Sequence, residues 1–82
     1  MELDAKILTE ITGILAPFVP AGQQVTPETD MVADLGLDSL KVMKIVEAVE
    51  DRFDISIPLN ILPEVRTVAD FVVQIQKITM EG

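Results

Sequence analysis

Asp34-Leu35-Gly36-Leu37-Asp38-Ser39-Leu40 is the stretch of this 82-residue chain from which the rest can be read. On its N-terminal side lies a polar segment punctuated by proline and glycine. On its C-terminal side begins a strongly amphipathic one, so a helix starts here. Asp38 has the side chain of an N-cap, able to accept from the free N–H groups of a first turn, which makes Ser39 the first helical residue. Lys41 stands where a capping box would place Glu or Gln, so that box is incomplete. Gly36 permits a sharp entry and denies bulk beside Ser39. A serine presented this way raises nucleophilic catalysis, but the chain has neither His nor Cys. A Ser-His-acid relay cannot be assembled without histidine, so Ser39 is expected to be modified and no catalytic residue is assigned. On position alone, an ordinary helix-start serine is the better reading, and only the wider pattern shifts it.

Downstream, Leu40, Met43, Val46, Val49 and Phe53 form an apolar stripe widened by Val42 and Ile45, predicting a helix from Ser39 to about Arg52. Upstream, Leu3, Ile7, Leu8, Ile11, Ile14 and Leu15 recur at helical spacing and predict a first helix from Glu2 to Ala16, stopped by Pro17. Between them, Pro17 to Leu37 reads as a long loop with one short turn near Met31 to Asp34. Its apolar residues, among them Val25, Met31, Val32, Leu35 and Leu37, argue for a loop wrapped on a core. Ile55-Ser56-Ile57-Pro58 is an extended connector that buries Ile57. Pro58 opens a short helix through Leu62, which Pro63 ends. Thr67-Val68-Ala69-Asp70 supplies a start signal for a last helix whose buried face is Val68, Phe71, Val72, Ile75 and Ile78. The expected fold is an all-α single domain over residues 1–82: three long helices and one short, with a long loop between the first and second helices.

Composition narrows the function. Fourteen acids against six bases give a net charge of −8, which disfavours nucleic acid and anionic membrane and favours basic protein surfaces. The 49% apolar content suffices for a core of Ile, Leu and Val with only three aromatics. Without His or Cys there is no soft metal site, and Asp30, Asp34 and Asp38 do not follow an EF-hand pattern, so no metal is assigned. Met1 is followed by Glu2 and Asp4 rather than a basic and then apolar stretch, and no apolar run approaches the ~20 residues of a membrane span. The expected location is cytoplasmic, and the expected state a monomer.

The chain resembles the acyl carrier proteins. The likeness rests on the Asp34–Leu40 motif, the apolar second helix closing at Phe53-Asp54, the Ile57-Pro58 connector, and Thr67-Val68 with the apolar helix that follows. It implies a four-helix acyl-carrier bundle and a 4'-phosphopantetheine arm, derived from coenzyme A, on Ser39. The arm's thiol would bear acyl cargo as a thioester, an import consistent with a chain lacking cysteine. It also implies a stand-alone carrier for fatty acid, specialised lipid or polyketide synthesis. Its partners would be a phosphopantetheinyl transferase and the enzymes that load and process the acyl group. Asp38 would help the transferase bind, and Leu40 and Met43 would be apolar partner contacts; the charges of Asp34 and Asp38 beside Ser39 by themselves point to basic groups on partner enzymes. The bundle is further expected to shelter an acyl chain among its apolar side chains.

One departure stands out. The main bacterial fatty acid carriers have a markedly acidic second helix, whereas Lys41 and Lys44 fall near the start of this one, before Glu47 restores negative charge. Either the lysines are ordinary solvated residues, or they mark a carrier with specialised partners. An aminoacyl or peptidyl carrier, and an unmodified helical interaction adaptor, remain alternatives.

Overall fold

The computed structural model describes residues 3–81, with side chains through residue 79. Helix α1 runs Ala5–Leu15, and Asp4 caps it: its carboxylate accepts from the N–H groups of Lys6 at 2.9 Å and Ile7 at 3.1 Å. The helix therefore starts later than its periodicity predicts, because Asp4 is extended and holds the chain outside the first turn; Glu2 lies outside the described residues. Pro17 does not stop the chain at once but sits inside a 3-10 turn, Ala16–Phe18.

Helix α2, Ser39–Phe53, begins at the expected cap, with the Asp38 carboxylate accepting from Lys41 N–H at 2.9 Å. It ends where Asp54 turns left-handed at φ 55°. Its buried face is Ile45, Val46 and Val49, flanked by half-buried Val42 and Phe53. Leu40, assigned to the stripe by sequence, is instead exposed, and Met43 only half-buried. Two successive three-residue steps, Leu40 to Met43 to Val46, each fall about 60° short of a full revolution, so the row walks off the buried face.

The short helix after α2 is 3-10 in form and spans Leu59–Glu64. It starts one residue later than expected and continues through Pro63, because such a short turn needs little from the N–H that proline lacks. Helix α3, Val68–Glu81, opens on a reciprocal cap. Thr67 Oγ1 accepts from Asp70 N–H, while the Asp70 carboxylate accepts from the N–H groups of Thr67 and Arg66, each at 3.1 Å.

The three helices enclose one apolar cluster, with Ile11, Leu15, Ile45, Val49, Val68, Phe71 and Ile75 almost wholly out of water. Each such side chain contributes roughly 1.5–3 kcal/mol against conformational entropy. The long loop joins this core through Met31, Leu35, Leu37 and the connector through Ile57, as expected.

Backbone bonds that sequence did not disclose fasten the loop to the start of α3. Met31 N–H donates to Arg66 at 2.9 Å, Val68 N–H to Thr29 at 3.0 Å, and Ala69 N–H to Pro27 at 2.9 Å, forming an isolated antiparallel bridge between Asp30 and Thr67. Buried Thr29 satisfies its hydroxyl on Thr26, whose N–H donates to it at 2.8 Å. The turn at residues 31–35 thus has a fixed seat, and the chain leaves it for Ser39 in a defined direction.

Candidate functional site

The approach to Ser39 is built from carboxylate caps. Asp30 receives the N–H groups of Val32 at 2.9 Å and Ala33 at 2.7 Å, and Asp34 returns a carboxylate oxygen to Asp30 N–H at 2.8 Å. The Ala33 and Val32 N–H groups, with the Arg66 guanidinium 3.5 Å away, hold the Asp30 carboxyl below the usual carboxylate range. Asp70 is lowered likewise by the N–H groups of Thr67 and Arg66. Gly36 then takes φ 67°, a left-handed conformation that a side chain would strain, and Leu37 is buried immediately before Asp38. These restraints deliver Ser39 at the first position of α2, exposed, with no described residue hydrogen-bonded to its hydroxyl.

Asp38 takes only one of the orphan N–H groups of the α2 first turn, so the helix start keeps donors and the positive end of its dipole near Ser39. The Asp38 carboxylate at the cap, with Asp34 nearby, opposes that attraction for an anion, so the helix dipole is not by itself the reason for this site. Beside it runs a groove of about 550 Å³, lined by Val32, Leu37, Val42, Leu59, Leu62 and Pro63 as well as Asp38 and Ser39. The hydroxyl, the helix start and the largely apolar groove fit an arm that is anionic at its root and carries apolar cargo.

The expected partner residues separate into two groups. Asp34 and Asp38 are exposed, but each has a carboxylate oxygen engaged on backbone N–H. Lys41 and Lys44 are exposed and make no ion pair with any described residue; the ion pairs found are Arg52 with Glu10 and Arg66 with Asp30. Glu47 is exposed on the same outward side of α2 as Leu40 and Lys44, and Met43 lies between that side and the core. Leu40 is 66% exposed, and the other large exposed hydrophobics among the described residues, Val32 at 63% and Leu59 at 60%, line the groove beside Ser39.

Val32 and Leu59 were not singled out as site residues by sequence. The signal was faint: in a tight turn the adjacent Met31 and Val32 cannot both point inward, but which one stays out depends on the α3 contact. No cluster of acids among the described residues is arranged to hold a metal ion, and no described helix is long and apolar enough to cross a membrane.

Comparison with known proteins agrees with this geometry. A family model described as the phosphopantetheine attachment site matches residues 5–74. The chain is 40% identical over 78 residues to a meromycolate extension acyl carrier protein of Mycolicibacterium aurum, covering 95% of this chain and 74% of that one. It is 42% identical over 73 residues to an acyl carrier protein of Thermobifida fusca, covering 89% and 85% respectively. A solved structure described as an acyl carrier protein from Mycobacterium tuberculosis superposes with a TM-score of 0.78 at 27% identity, covering 87% of this chain and 96% of that one.

Proposed function

The chain belongs to the phosphopantetheine-attachment family of acyl carrier proteins, and from that premise we propose that Ser39 is the residue that bears the arm. Members of the family are carriers rather than enzymes, and the covalent 4'-phosphopantetheine supplies a thiol that holds acyl groups as thioesters. The observation that carries the assignment is the exposed Ser39 hydroxyl, bonded to no described residue, at the α2 start and next to a groove with apolar walls. Around it the protein's own groups have distinct tasks. Asp38 caps the helix and fixes where Ser39 stands; the remaining N–H groups of the first turn offset its charge near a phosphate; Val42, Leu59 and Leu62 offer cover to apolar cargo.

The docking face is Leu40 with Met43, Lys41, Lys44 and Glu47 around it, joined by Val32 and Leu59 across the groove. Asp34 and Asp38 are held in place by the backbone N–H groups they accept, and each keeps its charge and a second oxygen exposed for basic groups on partners. The unpaired lysines favour partners that present carboxylates around an apolar socket, unlike enzymes with basic docking patches. Together with relatives named for meromycolate extension, this supports a dedicated lipid-extension pathway over general fatty acid synthesis. The same reading makes a phosphopantetheinyl transferase the first partner and places the carrier in the cytoplasm, with its supply of coenzyme A.

Incubation with coenzyme A, Mg²⁺ and a broad-specificity phosphopantetheinyl transferase tests the attachment. Intact mass should rise by one phosphopantetheine, and Ser39→Ala should abolish the rise while leaving the thermal melt nearly unchanged. An alanine variant modified as well as the parent would place the arm elsewhere.

A further inference from the structure

No side chain aims the Ser39 hydroxyl, since no described residue is hydrogen-bonded to it. Its aim comes from the backbone behind it. Asp38 settles where α2 begins, and the turn at residues 31–35 settles where that beginning stands against the rest of the surface. The peptide groups of this turn run back to α3 without a break. Arg66 C=O accepts Met31 N–H at 2.9 Å, and Met31 C=O accepts Leu37 N–H at 3.2 Å, two residues before Ser39.

One residue holds the turn closed. Asp30 C=O accepts the N–H groups of Asp34 at 2.9 Å and Leu35 at 3.3 Å, and Asp30 N–H donates to the Asp34 carboxylate at 2.8 Å. Its Oδ1 takes Val32 N–H at 2.9 Å and Ala33 N–H at 2.7 Å, while Oδ2 reaches only the exposed Arg66 guanidinium at 3.5 Å. The two oxygens thus have separable tasks. Oδ1 fixes the stretch that carries Val32, 63% exposed in the groove it shares with Ser39. Oδ2 makes a long, solvent-exposed ion pair of little worth.

We propose that Asp30 is a positioning residue for attachment of the arm: through Oδ1 it holds Ser39 and Val32 in the mutual placement that the transferase requires. The inference rests on Ser39 as the attachment residue and adds a second residue, nine positions upstream, which that assignment does not contain. In the transfer, Ser39 Oγ bonds to the coenzyme A phosphorus that carries the pantetheine half. The bond from that phosphorus to the oxygen bridging the two phosphates breaks. The adenosine bisphosphate half leaves with that oxygen, and the serine proton passes to a base of the transferase. Such an attack tolerates little error, for a misplacement of about 1 Å can cost about a hundredfold in rate. A loosened turn would leave the α2 face free to dock while the attack from Ser39 misses.

The test follows single-turnover loading by intact mass, with saturating coenzyme A and Mg²⁺. A broad-specificity phosphopantetheinyl transferase, in excess over the carrier, is raised until the rate reaches a plateau. Asp30→Ala should lower that plateau by about tenfold to a hundredfold, with half-maximal rate at nearly the parent's transferase concentration. A merely structural role gives the opposite split. Binding draws unfolded carrier back, so the plateau stays and the half-maximal concentration rises. Asp30→Asn keeps Oδ1 as an acceptor and should restore most of the plateau. Asp30→Glu keeps the charge but carries the carboxylate one methylene past the turn, and should be slow. Asp4→Ala is the matched control: Asp4 Oδ1 also takes two backbone N–H groups, but at the α1 start, near Arg52 and Phe53 at the far end of α2. It should lower the melting temperature and leave the plateau alone. If Asp30→Ala does not fold, the Asn and Glu variants decide. A parent-like plateau in Asp30→Ala or Asp30→Glu would overturn the proposal, as would Asp30→Asn as slow as Asp30→Glu or an equal fall in Asp4→Ala. Ser39→Ala separates the two readings. Loading that survives it, or a parent that takes no arm, removes the attachment assignment and this inference together; a parent loaded on Ser39 with an indifferent Asp30 removes this inference alone.

Discussion

Glu50→Ala should damage this protein far more than its place among the acids of α2 suggests. The Glu50 carboxylate accepts Ile57 N–H at 2.7 Å, and Ile57 is itself 5% exposed, so the bond fixes the connector as it turns into the core. Truncation removes a charge-assisted acceptor and leaves a partly buried N–H unmatched, a loss of about 1–3 kcal/mol. Glu50 is half-buried, so solvent screening places the expected value in the lower part of that range. For a domain of this size the melting temperature falls by about 4–8 °C per kcal/mol, giving a drop of roughly 5–15 °C. Melts followed by circular dichroism, together with hydrogen exchange at Ile57, read both the loss and its location. Glu50→Gln keeps an acceptor and should recover much of the difference. Glu47→Ala is the control: that side chain is exposed and bonded to no described residue, so the change should stay within about 0.5 kcal/mol. Removing a negative charge from a chain at −8 should if anything help. If Glu50→Ala melts together with Glu47→Ala, the tether contributes nothing, and the bond does not fix the connector.

Acid should destabilise the fold in a defined window. Asp30, Asp70 and Glu10 all have lowered pKa values, through backbone N–H groups for the two aspartates and through Arg52 for Glu10. Their contribution is complete above the ordinary carboxylate range near pH 4 and is lost as pH falls through the lower folded values. Melting temperature should therefore drop steeply below about pH 4, and Asp70→Asn should flatten that drop; an unchanged profile in the variant would discount the α3 cap. Replacing the exposed lysines (Lys41→Asp with Lys44→Glu) should improve use of the acylated carrier by a ketosynthase of general fatty acid synthesis that has a basic docking patch. The gain should come mainly from faster association and should shrink with salt, so equal kinetics at low salt would make both lysines bystanders. Finally, moderate salt or millimolar Mg²⁺ should raise the melting temperature of the unloaded chain by screening its net charge of −8. A fall would mean that attractive pairs such as Arg52 with Glu10 outweigh the repulsion.

Local chemistry was legible in the residues themselves. The Asp38 cap, Ser39 as the first helical residue, the Thr67–Asp70 start signal and the burial of Ile57 each depend on side chains within a few positions of one another, so the order of the amino acids was enough to determine them. The absence of His and Cys likewise excludes a histidine relay and a native thiol whatever shape the chain adopts. What the tertiary structure alone decided depends on where the folded chain passes. The Glu50 carboxylate has no partner legible in its own helix, yet it holds the Ile57 N–H because the connector turns back in front of it. Leu40 was legible as part of an apolar stripe, but that it stands exposed at the edge of the buried face was not, since a stripe spaced by threes drifts around the helix and only the position of α1 and α3 determines where the buried face ends. The bridge between Asp30 and Thr67 joins the long loop to α3 across 37 positions by backbone bonds, which carry no side-chain signature. The groove beside Ser39 belongs to no single segment either, for it is what the turn, α2 and the 3-10 helix leave unfilled between them.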